Sequence, residues 1–153
     1  MTMLYSLIDE VQNTTTPGAT RRQLKALMRI TDLFLAGSGR YSKQQTELFD
    51  DIFKTIVGVI ELRTRVKLAQ HFATDPEAPA TLVRAFAFDD EVSVAAPVLS
   101  QSAALSEADL VLGGSTKSQG HLLAIAQRPT LSETITELLI ERGESFVVHG
   151  GPG

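Results

Sequence analysis

Few side chains in this sequence could carry chemistry, and their spacing does not gather them. The three histidines, His71, His121 and His149, lie too far apart for a local metal-ligand pattern. His121 opens the apolar run Leu122-Leu123-Ala124-Ile125-Ala126, the setting of a packed or turn-bonding imidazole. A histidine titrates near neutral pH, so His121 is also kept as a candidate interaction residue. The adjacent pairs Asp50-Asp51 and Asp89-Asp90 could suggest acid/base or magnesium chemistry. Neighbours on a helix, however, point roughly 100° apart, which poorly converges two carboxylates on one ion. At a helix N-terminus Asp89 and Asp90 would instead cap free amides and complement the macrodipole.

Gly113-Gly114-Ser115-Thr116-Lys117-Ser118 superficially resembles a phosphate loop. That motif needs glycine directly before the lysine and a strand before the loop. Thr116 occupies the first position and no strand is expected, so the segment reads as a turn between helices. Serines are plentiful, but no Gly-x-Ser-x-Gly elbow exposes one as a nucleophile. With no cysteine in the chain, disulfides, thiolate metal sites and thiol nucleophiles are excluded. No set of residues selects a catalytic pocket; no catalytic residue, metal or cofactor is expected, and the chain reads as a non-enzyme.

The remaining constellation is electrostatic. Arg21, Arg22, Lys25 and Arg29 form a basic stripe at helical spacing. Such a stripe could meet phosphates, but Asp32 shares its face, no aromatic residue interleaves, and the whole chain carries a net charge of −4. A solvated helix face or a docking surface for another protein accounts for it better than nucleic acid.

The elements that would position these residues are helical. Alternating runs of β-branched and aromatic residues are missing, whereas helix periodicity recurs throughout. A short helix fits Leu4 to Val11, followed by a loop from Asn13 to Gly18; a second helix runs from about Thr20 to Leu35 and stops at Gly37-Ser38-Gly39. Ser42 caps a long segment continuing to about Ala73. In it Leu48, Phe49, Ile52, Phe53, Ile56, Val57, Val59 and Ile60 cover an arc of roughly 180°, which predicts two packing neighbours. Beyond Ile60 the pattern changes phase: Arg63 and Lys67 enter the apolar stripe. Burying unpaired charge is costly, so the helix must break there or change partners.

The later half is repetitive. Phe72-Ala73-Thr74-Asp75-Pro76-Glu77 resembles Phe86-Ala87-Phe88-Asp89-Asp90-Glu91, and Leu105-Ser106-Glu107 recurs as Leu131-Ser132-Glu133. Asp90 or Ser93, Ser106 and Ser132 occupy N-cap positions, with Asp109 completing a near capping box. Pro79 suits a helix start and Gly143 an end. Pro97 must lie in a first turn or kink its helix. Helices this short are marginal alone in water and need neighbours on both sides, as in stacked repeats. The expected fold is therefore all-α: an N-terminal helical bundle over 1–61, an irregular HEAT-like helical-repeat layer over 62–143, and a flexible tail over 144–153. An orthogonal bundle is the alternative arrangement.

Thr31-Asp32-Leu33-Phe34-Leu35, Phe49-Asp50-Asp51, the run from Ala87 to Leu99, and Gly120-His121-Leu122-Leu123-Ala124-Ile125-Ala126 resemble an alphaproteobacterial family catalogued only as a domain of unknown function. The resemblance spans about Thr20 to Gly143. It implies helical repeats and a bacterial cytoplasm, and brings no established activity or catalytic residues. Similar proteins continue into another repeat-like unit where this sequence has Gly150-Gly151-Pro152-Gly153, so an apolar end needing cover is expected.

No apolar run approaches the ~18 residues of a membrane span, and Met1 to Asp9 lacks a basic region and signal core. A cytoplasmic location without membrane contact follows as an expectation. The functional expectation is a non-catalytic protein-interaction module binding another protein or a peptide, placed on the layer from Pro79 to Arg142. The wide stripe on the long helix also predicts a homodimer. The competing readings are a nucleic-acid-associated regulator using the basic helix face, and an enzyme whose composite pocket brings His121 beside Asp89 and Asp90.

Overall fold

A computed structural model describes residues 18–37 and 39–143. The expected helix from Leu4 to Val11, most of the loop after it, and the tail over 144–153 lie outside the described residues. Among those described, eight helices follow one another with no strand: α1 Gly18–Ala36, α2 Lys43–Val59, α3 Leu62–Ala73, α4 Ala80–Ala87, α5 Val92–Gln101, α6 Glu107–Thr116, α7 Gln119–Ala126 and α8 Glu133–Arg142. The chain is all-α.

Local chemistry accounts for most boundaries. Ser42 opens α2 with a full capping box, its Oγ accepting from the Gln45 amide at 3.1 Å while Gln45 Oε1 accepts from the Ser42 amide at 2.9 Å. Ser106 and Asp109 form the same reciprocal pair at 3.1 and 3.0 Å before α6. Ser132 accepts from the Ile135 amide before α8. Pro79 precedes α4, and the Gly143 amide closes α8 on Leu139 O. Gly39 supplies the one left-handed turn among the described residues, at φ 84°. The long helical segment breaks where the apolar stripe loses phase: Ile60 is extended and α3 starts afresh at Leu62.

Two local expectations need correcting. Glu91, rather than Asp90 or Ser93, occupies the N-cap of α5 and gives no side-chain cap. Asp89 closes that turn instead, its Oδ1 accepting from the Glu91 amide at 2.9 Å, as Asp75 Oδ1 does for Glu77. Gly113 and Gly114 are not in a turn but within α6. A Cβ on Gly114 would crowd the end of the Leu138 side chain, so close helix approach offsets glycine's poor helix propensity. Pro97 sits inside α5, in its second turn, so the carbonyl of exposed Ser93 lacks its usual helical donor.

Packing is most extensive between helices next but one in sequence, α2 with α4, α3 with α5, α5 with α7, and α6 with α8, and it also joins the neighbours α1–α2, α3–α4, α4–α5, α6–α7 and α7–α8. α1 packs mainly on α2, where Phe34, Tyr41, Phe49 and Phe53 form an aromatic cluster with the Phe34 and Phe49 centroids 5.0 Å apart. One core runs from Leu24 to Leu139. Within it Phe72 and Phe86, the matched aromatics of the two similar sequence segments, stack at 6.0 Å. Replacing Ser106 or Ser132 with alanine should each lower unfolding free energy by about 1 kcal/mol in urea titration, while the helical circular-dichroism signal stays unchanged.

Candidate functional site

The polar residues singled out in the sequence sort into a buried clasp and an open groove. The clasp centres on the turn between α4 and α5. His121 is 1% exposed, and its Nε2 lies 2.8 Å from Asp89 O. A carbonyl only accepts, so Nε2 carries the hydrogen. Nδ1 then accepts from the Ser118 hydroxyl at 2.7 Å, while Ser118 Oγ accepts from the His121 amide at 3.4 Å. Both ring nitrogens are thus engaged inside the chain, and the imidazole ties the start of α7 to the turn before α5.

The Asp89 carboxylate faces another element. Its Oδ2 is 2.9 Å from Arg65 Nε, an ion pair without an aligned N–H bond. Arg65 Nη1 donates to Ile60 O at 2.9 Å and reaches Gly58 O at 3.5 Å, satisfying carbonyls that the end of α2 leaves open. Asp90 points elsewhere, accepting from Lys117 Nζ at 2.6 Å. That hydrogen bond and the lysine's charge hold the Asp90 carboxyl below its ordinary range. The other acidic pair also splits: Asp50 accepts from Arg84 Nη2 at 2.8 Å, while Asp51 is exposed. Asp89 and Asp90 therefore serve separate partners, Arg65 and Lys117, and Asp50 turns to Arg84 while Asp51 faces solvent.

A shallow cleft of about 410 Å³ beside the clasp is lined by Lys54, Arg65, Asp89, Asp90 and Glu91 among others. His121 is not on its wall, since its ring turns inward to the Asp89 carbonyl. The structure therefore does not bring His121 and the two aspartates to face one cleft. Among the described residues no three metal-ligating side chains converge.

The groove lies on the outer side of α1. It holds about 800 Å³ and is bordered by Arg22, Lys25 and Arg29, with Ala26, Ile30, Leu33 and Ile56 as its apolar lining. Three of the four stripe cations thus share one groove; Arg21 is exposed but does not line it. Sequence periodicity located the cations and missed the floor, because Leu33 falls outside the core-facing stripe and Ile56 comes from α2. Leu33 in the groove is 57% exposed, and Leu48 and Val59 on α2 are 60% and 59% exposed. The broad apolar arc of α2 does meet two neighbours, α1 and α4, yet its outermost members stay uncovered.

Arg65→Met should cost about 3 kcal/mol, because it leaves a mostly buried carboxylate unpaired; adding Asp89→Asn should recover part of that loss in a double-mutant cycle. Lys117→Met should barely change stability, since the Asp90 side chain is 94% exposed. It should nevertheless raise the Asp90 pKa in an NMR titration. The small stabilisation from Asp90 is present above the ordinary carboxylate pKa and lost as pH falls through its lowered value.

Comparison with known proteins gives one similarity. Residues 94–150 match a family described as an uncharacterised protein conserved in bacteria, DUF2336. The match covers most of α5 and continues through α6, α7 and α8, leaving α1 to α4 outside it. No curated protein and no solved structure matches the chain.

Proposed function

We propose that the chain is a non-catalytic protein-interaction module of the bacterial cytoplasm, binding another protein through the α1–α2 face. The observation that carries this reading is the open groove with a cationic border and an apolar floor that includes exposed Leu33, on the same helix pair as exposed Leu48 and Val59. Exposed apolar surface gathered in one place marks a binding site more often than scattered single residues do. The expected docking position on the layer from Pro79 to Arg142 carries exposed Leu112, Leu123 and Ile140, one from each of α6, α7 and α8.

Architecture supports the same reading. Contacts to the next and the next-but-one helix are the pattern of an irregular, HEAT-like stack, and such stacks present extended helical surfaces. An N-terminal pair before Glu61 would then display the site while the layer from Leu62 holds it rigid. Self-association belongs to this reading, because apolar surface on that pair needs cover. A nucleic-acid ligand fits less well: phosphates call for cations without an apolar floor between them, and the acidic net charge opposes approach. No helix among the described residues is long and apolar enough to cross a membrane.

A photo-reactive residue placed at Leu33 of the full chain should give a protein adduct in bacterial cells, with the adduct identified by mass spectrometry. Combining Lys25→Glu with Arg29→Glu should reduce that adduct at least about five-fold. The same photo-reactive residue at exposed Gln127 is the control. No adduct at Leu33, or an adduct at Gln127 alone, would count against the groove.

A further inference from the structure

The outer face of the α1–α2 hairpin has an order of side chains that selects its own occupant. At about 100° per residue, Leu33 and Arg22 fall within roughly 40° of Ala26 on α1. Arg29 and Lys25 lie at about 60° and 100° from Ala26, on the side turned away from α2. The side turned toward α2 is fixed by Phe34, which packs on Phe49, and by Ile30, which shares the groove with Ile56. On α2, Ile52 and Val59 fall within roughly 40° of Leu48, while Asp51 and Glu47 lie at about 60° and 100°, turned away from α1. Lys25, Arg29, Glu47 and Asp51 are all exposed. Asp32, also near the α1 border, is already engaged within the chain.

Across this face the sequence of surfaces is therefore a basic border whose inner edge is Arg22, a largely apolar middle, and an acidic border. We propose that a second copy of this chain covers it, related by a two-fold axis running parallel to the two helices. That operation lays α1 of one copy over α2 of the other, antiparallel, and α2 over α1. The basic border of each copy then meets the acidic border of its partner, and Leu33, Leu48 and Val59 close into a four-helix middle. A two-fold contact pairs each surface with itself, so it needs this kind of internal complementarity. An axis perpendicular to the helices would instead stack α1 on α1 and oppose like charges, which is disfavoured.

The inference rests on the groove being a protein-binding site, and it names the partner. Sedimentation equilibrium of the full chain tests it. The unaltered protein should form dimers. Lys25→Glu with Arg29→Glu, and separately Glu47→Lys with Asp51→Lys, should each raise the dimer dissociation constant at least about ten-fold. All four changes together should return it to within about three-fold of the original, since the borders are then exchanged rather than mismatched. Leu48→Glu, at an exposed position that folding does not require, should give monomers with an unchanged helical signal. A monomer at every concentration, dimers indifferent to the reversals, or a four-fold variant that stays weak would overturn the two-fold interface. If such a result accompanies a Leu33 adduct containing a different protein, the inference falls and the interaction reading stands; with no adduct, both fall.

Discussion

Six of the eight described helices, α3 to α8, are only 8 to 12 residues long. A free helix of that length is marginal in water, because the cost of nucleation is spread over too few hydrogen bonds. Each also has four amides and four carbonyls at its ends without a helical partner, a large share of so short a backbone. The structure answers both demands from outside the helix concerned. Neighbours cover the faces, and side chains from elsewhere in the chain occupy the ends.

Arginine is the recurrent donor at those ends. Arg65 serves carbonyls at the end of α2, Arg128 those of Leu99 and Ser102 at the end of α5, and Arg142 those of Gly114 and Lys117 at the end of α6. The guanidinium suits the task because it presents several fixed donors and complements the negative end of the helix dipole. Burial lowers the Arg128 pKa from its ordinary value, yet an arginine keeps its charge at physiological pH. The positive charges that sequence inspection would assign to surface or ligand are thus partly structural. Arg22, Lys25 and Arg29 on α1 differ from these, since they line an open groove rather than a helix end.

The features legible in the sequence are those whose physics is local. A serine three residues before an acid or amide announces a cap, and the intrusion of Arg63 and Lys67 into an apolar stripe announces the break after Ile60. The spacing of Arg22, Lys25 and Arg29 places them together on one helix side. Features that depend on a distant residue stayed hidden. Gly113-Gly114 reads as a turn until Leu138 is seen packed close against Gly114. Nothing near Arg84 in sequence identifies Asp50 as its partner, and nothing near Arg128 points to the last turn of α5. The groove combines both kinds of information. Its cations follow from periodicity, but its floor exists only because Ile56 arrives from the next helix.

The bonds described between helices share a modest reach. Gln119 to Arg142 spans 23 residues, Arg128 to Leu99 spans 29, His121 to Asp89 spans 32, and Arg84 to Asp50 spans 34. Loop-closure entropy rises with such separations, so contacts confined to this window form without first bringing the chain's far ends together. The kinetic consequence is rapid assembly from any stretch of a few adjacent helices. A ribosome that has released the chain as far as the turn after α4 has already supplied Arg65 with Asp89, and need not wait for α8.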